Sequence, residues 1–217
     1  MVMEKIIHQI WVGDKRIPRH VKDHMARVKE GHKDFAYYLW TDANIPELPP
    51  HLRRIYHSYH EPAIKADLLR MYVVHIYGGI YMDADFVMID GFHSDKMLNL
   101  DFEGFITYNH SYGTEALGNG IFGFTKGHPL LKHMLDNVTH EGQWVGPNWW
   151  AQVMCRHFAL GEPKGVTLKQ LETALSTQGI KVIDWKDFSQ KCFRHLDMAT
   201  WIKGSEWNKK LESGNYD

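Results

Sequence analysis

Residues Pro62 to Ile89 constrain the fold more than any other stretch: a helical apolar pattern runs through a double glycine into a strand pattern that carries two carboxylates. Pro62 suits the first turn of a helix, and Ile64, Leu68, Leu69, Tyr72, Val73 and Ile76 fall on one apolar face. Gly78-Gly79 ends that helix. The next run, Ile80 to Ile89, reads as one strand with Asp83 and Asp85 in its middle. A buried strand does not tolerate carboxylates without partners, so something there must bind them.

The flanking sequence sets this unit in an α/β sheet. Lys5 to Val12 reads as a β-branched first strand closed by Gly13-Asp14, Val21 to Glu30 as a helix, and Phe35 to Trp40 as a second, aromatic strand. Pro46 to Pro50 is expected to be irregular. Further short strands are expected at Phe105 to Tyr108, Gly120 to Phe124 and Ile180 to Asp184. Helices are expected from His128-Pro129 to about Val138, from Pro147 to Phe158 and from Thr167 to Gln178. This order predicts an α/β fold. With 217 residues, no repeats and no flexible linker, one domain is expected over residues 1–217.

Charge and cysteine content exclude several classes. Lysine plus arginine (25) nearly balances aspartate plus glutamate (26), so there is no general basic field for nucleic acid or an anionic membrane. Any phosphate binding is local. Cys155 and Cys192 are too few for a disulfide framework or a paired-cysteine zinc site, and fit a reduced compartment. The 15 histidines are scattered, without a close pair on one helical face. No run approaches the length of a membrane span, and Met1 to Gly13 lacks the pattern of a secretory signal, so a soluble chain is expected.

In extended backbone Asp83 and Asp85 project to the same face, where they can converge on one hard cation. The same triplet also occurs in ordinary surface turns. Its place after the double glycine and an apolar strand start is where open α/β sheets bind ligands. Asp67 and Arg70, three apart on the side of the helix opposite its apolar face, either point together into a cleft or form a solvated ion pair. A phosphatase reading, with Asp83 as nucleophile and Asp85 as general acid, is the rival from the motif alone. That motif would normally close the first strand, whereas here some eighty residues precede it.

The whole segment Ala63 to Asp85, with its Ala-x-x-Asp-x-x-Arg helix, Tyr-Gly-Gly-x-Tyr and Asp-x-Asp at fixed distance, resembles the sugar-binding region of glycosyltransferase family 32. That family includes yeast-type mannosyltransferases and is related to the clostridial glucosylating toxins. The resemblance extends to Ile6 to Gly13, Asn119-Gly120, Gly127-His-Pro129 and Gly146-Pro147, and thins beyond about residue 150. His195 followed by Trp201, or Gly204-Ser205-Glu206-Trp207, is similar to the family's closing element.

The resemblance implies a GT-A fold, a Rossmann-like mixed sheet flanked by helices, with about 1–90 as the nucleotide-sugar half and about 91–217 as the acceptor half. It implies metal-dependent transfer of a hexose, with retention, from a nucleotide diphosphate sugar, UDP-linked first and GDP-linked second, to a glycan, lipid-linked sugar or protein hydroxyl. Trp11 would stack on the base, Asp67 and Arg70 would hold the donor sugar, and Asp83 and Asp85 would bind Mn²⁺ or Mg²⁺, Asp83 also contacting ribose. Asn119 would face the sugar or reacting carbon, and His195 the diphosphate or metal. Their plainer readings are core filling for Trp11 and a turn for Asn119. Trp144, Trp149 and Trp150 either line a carbohydrate site or pack a helix start. Lacking a visible anchor, the chain is expected to be a cytoplasmic enzyme of bacterial or viral type, with acceptor selectivity written beyond Gly161. A non-catalytic nucleotide-sugar-binding protein is the remaining alternative.

Overall fold

The computed structural model describes residues 2–88, 101–109, 116–184 and 193–195. The chain begins with strand β1 (Ile6–Ile10), helix α1 (Arg19–Gly31) and strand β2 (Ala36–Trp40), followed by helices α2 (Pro50–Ser58) and α3 (Pro62–Tyr77). Strands β3 (Gly79–Met82), β4 (Phe86–Met88), β5 (Gly104–Asn109) and β6 (Ala116–Phe124) come next. Helices α4 (Pro129–Asp136), α5 (Pro147–His157) and α6 (Leu168–Ser176) lead to β7 (Ile180–Asp184) and β8 (Phe193–His195). Most elements lie where the periodicity predicts.

Two depart from it. Helix α2 is not expected from the pattern: Pro50, at the end of a stretch that reads as irregular, occupies the first turn of a helix, where a missing N–H is harmless. The run Ile80 to Ile89 is not one strand. It breaks after Met82 into a turn holding Asp83, Ala84 and Asp85, and resumes as β4 in a different sheet. The two carboxylates therefore do not share a face by strand alternation, because they sit on a turn rather than on extended backbone.

The main sheet has the order β2-β1-β3-β6-β5-β7. Strand β1 pairs in parallel with β2 and β3, and β5 with β7, while β6 runs antiparallel to both β3 and β5. The small sheet pairs β4 with β8 antiparallel. Both faces of the main sheet are covered, and alternate residues sort between them. Ile7, Ile80, Met82, Phe105 and Ile121 face a cluster that includes Val28 of α1, whereas Tyr81, Ile106, Phe122 and Phe124 face the larger cluster under α3, α4 and α5.

Helix α3 lies at the centre of that larger core and is covered on more than one side. Leu68, Leu69, Met71, Val73 and Val74 are all fully buried. The helix stops at Gly78, whose N–H donates to the Val74 carbonyl at 2.8 Å and whose positive φ of 73° turns the chain out of the helix, and Gly79 follows at φ 96°. The chain there passes so close to β1 that a Cβ on Gly79 would lie 2.5 Å from the Ile6 carbonyl oxygen. This double turn brings β3 directly alongside β1 and delivers the carboxylate turn to the sheet's end.

Candidate functional site

Because α3 is buried around most of its circumference, Asp67 and Arg70 are not on a solvated face. Their residues are 7% and 6% exposed. The ion pair expected from their spacing forms, with Arg70 Nη2 3.0 Å from Asp67 Oδ1, but it forms inside the protein. Arg70 Nη1 also lies 3.3 Å from Asp83 Oδ1 and donates to the Asn119 carbonyl at 2.8 Å. Its guanidinium sits 4.7 Å from the centre of the Tyr81 ring. Burial alone would lower the pKa of Arg70; the acidic groups around it, Tyr81, Asp83, Asp67 and Asp85, more than offset that and hold it above its ordinary value. Arg70 is thus a fixed cation bridging the helix to the carboxylate turn.

Asp67 is held from three directions. Its Oδ1 accepts from Asn119 Nδ2 at 2.8 Å as well as from Arg70, and its Oδ2 accepts from Trp144 Nε1 at 2.7 Å. Tyr81 donates its hydroxyl to Asp83 Oδ1 at 2.7 Å, and burial pushes the Tyr81 pKa well above the tyrosine range. The phenol is therefore a proton donor at any ordinary pH.

Asn119 reaches this cluster because β6 is irregular. Against β5 the register jumps between Ile106, opposite Phe122, and Thr107, opposite Gly118. Asn119, Gly120 and Ile121 fall out of that ladder, and a local irregularity of this kind re-aims side chains and frees backbone groups. The freed groups find partners: the Asn119 carbonyl accepts from Arg70, the Gly120 carbonyl accepts from the Asp83 N–H at 2.8 Å, and Thr107 donates its hydroxyl to the Ile121 carbonyl at 3.1 Å. Asn119 is therefore neither an exposed turn residue nor a passive strand residue. Gly120 has a packing reason of its own, since a Cβ there would lie 2.7 Å from Asp83 Oδ2.

The turn itself is tied to the first strand. Gln9 donates to the Asp83 carbonyl at 3.1 Å and accepts from the Tyr37 hydroxyl at 2.6 Å. Trp11, at the end of β1, is half-buried, packs against the small cluster of Val21, Met25 and Ala84, and donates its indole N–H to the Lys15 carbonyl at 2.7 Å. It thus packs on the cluster to which Ala84, the residue between the two carboxylates, belongs. Asp85 is half-buried and near enough to act on Arg70. His195 lies in β8 with its backbone opposite Phe86, one residue past Asp85. Trp201, the 204–207 segment and Cys192 lie outside the described residues.

Asp67, Arg70, Asp83 and Asn119 therefore form one contiguous cluster, Asp85 and Trp11 border it, and only the backbone position of His195 is described. Tyr81 enters the sequence reading only as the last residue of Tyr-Gly-Gly-x-Tyr, without a role, and Gln9 is not singled out there. Trp144 stands out in the sequence only as one of three clustered tryptophans; its bond to Asp67 spans 77 residues and leaves no local signal.

Residues 18–101 match the protein family described as glycosyltransferase sugar-binding region containing DXD motif. Over that stretch the chain is similar to DXD-type glycosyltransferases. A mannosyl phosphorylinositol ceramide synthase of Saccharomyces cerevisiae is 29% identical over 222 residues, covering 94% of this chain and 55% of that protein. Inositol phosphoceramide mannosyltransferase 3 of Schizosaccharomyces pombe is 30% identical over 138 residues, covering 62% of this chain and 36% of its own length. The chain thus spans about half or less of these relatives. Among solved structures, the PaToxG glycosyltransferase superposes with a TM-score of 0.55 at 19% identity, over 82% of this chain and 78% of that one. A glycosyltransferase involved in the glycosylation of the major capsid of PBCV-1 gives 0.50 at 11% identity, over 96% and 98%. At such identities these two show the fold alone, and that fold is GT-A. Among the described residues, no helix is long and apolar enough to cross a membrane.

Proposed function

We propose that the domain transfers a hexosyl group, with retention, from a nucleotide diphosphate sugar to a hydroxyl acceptor, using a divalent ion at the turn of Asp83 and Asp85. The observation that carries the reading is the buried cluster of Asp67, Arg70, Asn119 and Asp83, which joins a sugar-reading carboxylate and amide to the carboxylate turn through one guanidinium. Such charge-assisted pairs suit sugar hydroxyls, whose donors and acceptors alternate around the ring.

The donor set at the turn fits a hard cation. It consists of carboxylate oxygens, and among the described residues no group of three or more His, Cys, Asp or Glu side chains is placed to hold a metal alone. Mg²⁺ and Mn²⁺ suit such a site, since Mg²⁺ in particular is commonly bound by one or two carboxylates with substrate phosphates and water completing the shell. Asp85 and the Asp83 oxygen not held by Arg70 and Tyr81 would be the ligands. When bound, the ion neutralises charge that develops on the leaving diphosphate.

The protein's own contribution is positioning and fixed charge. Asp67 and Asn119 orient the sugar, and Arg70 holds both carboxylates in register. Trp11 offers an aromatic face for the base, beside Ala84. The bond from the anomeric carbon to the diphosphate oxygen breaks, the acceptor oxygen bonds to the same face of that carbon, and the acceptor's proton passes to the leaving phosphate. No enzyme nucleophile is needed, so rate comes from alignment and preorganised electrostatics. The phosphatase alternative is disfavoured because Asp83 Oδ1 is held by Arg70 and the Tyr81 hydroxyl, which quiets a nucleophile.

UDP- and GDP-hexoses are the donors to test, the latter including GDP-mannose because the two yeast relatives are mannosyl-transferring proteins. Incubation of each with Mn²⁺ and a panel of glycosides, followed by proton NMR of the product, reads both transfer and anomeric configuration. An axial donor linkage giving an axial product supports the proposal, whereas an inverted product or release of inorganic phosphate alone contradicts it.

A further inference from the structure

Trp144 is 51% exposed, although its indole N–H is bonded to the buried Asp67 carboxylate. Its loop is anchored on both sides: the Tyr59 hydroxyl donates to the Gln143 carbonyl at 2.5 Å, and Val145 is fully buried. Gly146 packs so closely on the indole that a Cβ there would lie 2.7 Å from the ring. The exposed indole is therefore held in place rather than free to sweep through solvent. Beside it opens a cleft of about 190 Å³ lined by Trp144, Gly146, Asn148, Trp149 and Gln152. Asn148 and Gln152 stand four apart on α5, on one face of the helix, and both are exposed.

We propose that this cleft is the acceptor subsite and takes a cyclic polyol, a hexose or an inositol ring. The C–H face of the ring stacks on Trp144, and its hydroxyls meet the side-chain amides of Asn148 and Gln152. The volume lies below the roughly 300–1,000 Å³ of sites for drug-sized ligands, which suits one ring rather than an extended oligosaccharide. The inference rests on the transferase reading, because Trp144 touches Asp67, the carboxylate assigned there to the donor sugar, and an acceptor must approach from a neighbouring surface. It also places acceptor recognition before Gly161 rather than beyond it.

Saturation-transfer NMR of the full chain, without donor, tests this with methyl α-D-mannopyranoside, methyl α-D-glucopyranoside and myo-inositol as probes. Saturation of ring protons in the wild type is expected for at least one probe, and which one distinguishes a hexose from an inositol acceptor. Trp144→Phe retains an aromatic face and retains the signal, while Trp144→Ala weakens binding about five-fold or more. Gln152→Ala, at an exposed helical position where folding is not at stake, weakens it about two- to ten-fold. Equal saturation in the wild type, Trp144→Ala and Gln152→Ala overturns the proposal. So does the absence of saturation by every ring in a protein whose melting temperature still rises with a nucleotide sugar, and in that case the transferase reading stands. A ring bound through Trp144 by a chain that responds to no nucleotide sugar removes the acceptor assignment together with the transferase reading.

Discussion

Replacing Arg70 by methionine removes the guanidinium that bridges Asp67 and Asp83, while keeping a flexible apolar side chain in its place. The side chains of Asp67 and Asp83 are 10% and 23% exposed, so the two carboxylates would face each other with little water to screen them. Breaking a buried ion pair by deleting one partner costs about 3–5 kcal/mol, chiefly because the survivor is left buried and uncompensated. The Asn119 carbonyl loses its donor as well, but that loss couples to the first and does not simply add. For a domain of this size, where each kcal/mol moves the midpoint by about 2–4 °C, Arg70→Met should melt roughly 6–20 °C below the wild type. Urea denaturation and calorimetry measure this. Lys132→Met supplies the contrast, because its pair with Asp136 is solvent-exposed on both sides (63% and 56%) and its loss should change stability by about 0.5 kcal/mol or less. Adding Asp67→Asn to Arg70→Met removes one stranded charge and should recover part of the loss. A change under about 1 kcal/mol for Arg70→Met would refute the view that this cluster is a desolvated electrostatic unit.

His8, the two glycines Gly79 and Gly127, and the donor site each carry a further expected outcome. His8 is fully buried; the Gly78 carbonyl can only accept, so the ring proton sits on Nε2, leaving Nδ1 to accept from the Trp40 indole at 3.1 Å. Burial lowers its pKa from 6.5 to about 4, against the opposing pull of the Gly78 carbonyl. The unfolded chain therefore takes the proton first: this contribution is fully present above about pH 6.5 and is lost as pH falls towards 4, a change of about 3 kcal/mol. Melting temperatures measured across that range should fall, and His8→Gln should flatten the slope. Gly79→Ala combines a φ of 96° with a Cβ 2.5 Å from the Ile6 carbonyl and should cost more than the roughly 1–3 kcal/mol of backbone strain, whereas Gly127→Ala, at φ 73° in open space, should show strain alone; chemical denaturation compares them. A donor sugar with Mn²⁺ at about one hundred times its dissociation constant should stabilise the fold by about 2.7 kcal/mol, raising the melting temperature by roughly 5–11 °C.

The legibility of this chain in its sequence varies with the range of the cause. Strand β1, helix α1 and the end of α3 at Gly78 depend on local periodicity and glycine conformation, and these lie where expected. Helix α2 escapes a sequence reading because Pro50 is equally a breaker and a first-turn residue, and only the residues after it decide between the two. The carboxylate turn reads as extended because Phe86, Val87 and Met88 continue the apolar run; the chain instead changes sheets, which a one-dimensional pattern does not encode. The spacing of Asp67 and Arg70 announces their ion pair, but its burial depends on α4, β1, β3 and β6 packing against α3. The register jump at Thr107 that brings Asn119 to Asp67, and the reach of Trp144 across the fold, arise from long-range packing with no local signature.

The most direct test of the account is calorimetric titration of UDP and GDP into the protein with and without Mn²⁺, repeated on Asp85→Asn. The account predicts that one nucleotide binds with Mn²⁺, that chelation abolishes the binding, and that Asp85→Asn weakens it at least ten-fold while leaving the thermal unfolding of the unliganded protein essentially unchanged. Equal binding by the wild type and Asp85→Asn, or binding indifferent to the ion, would contradict it.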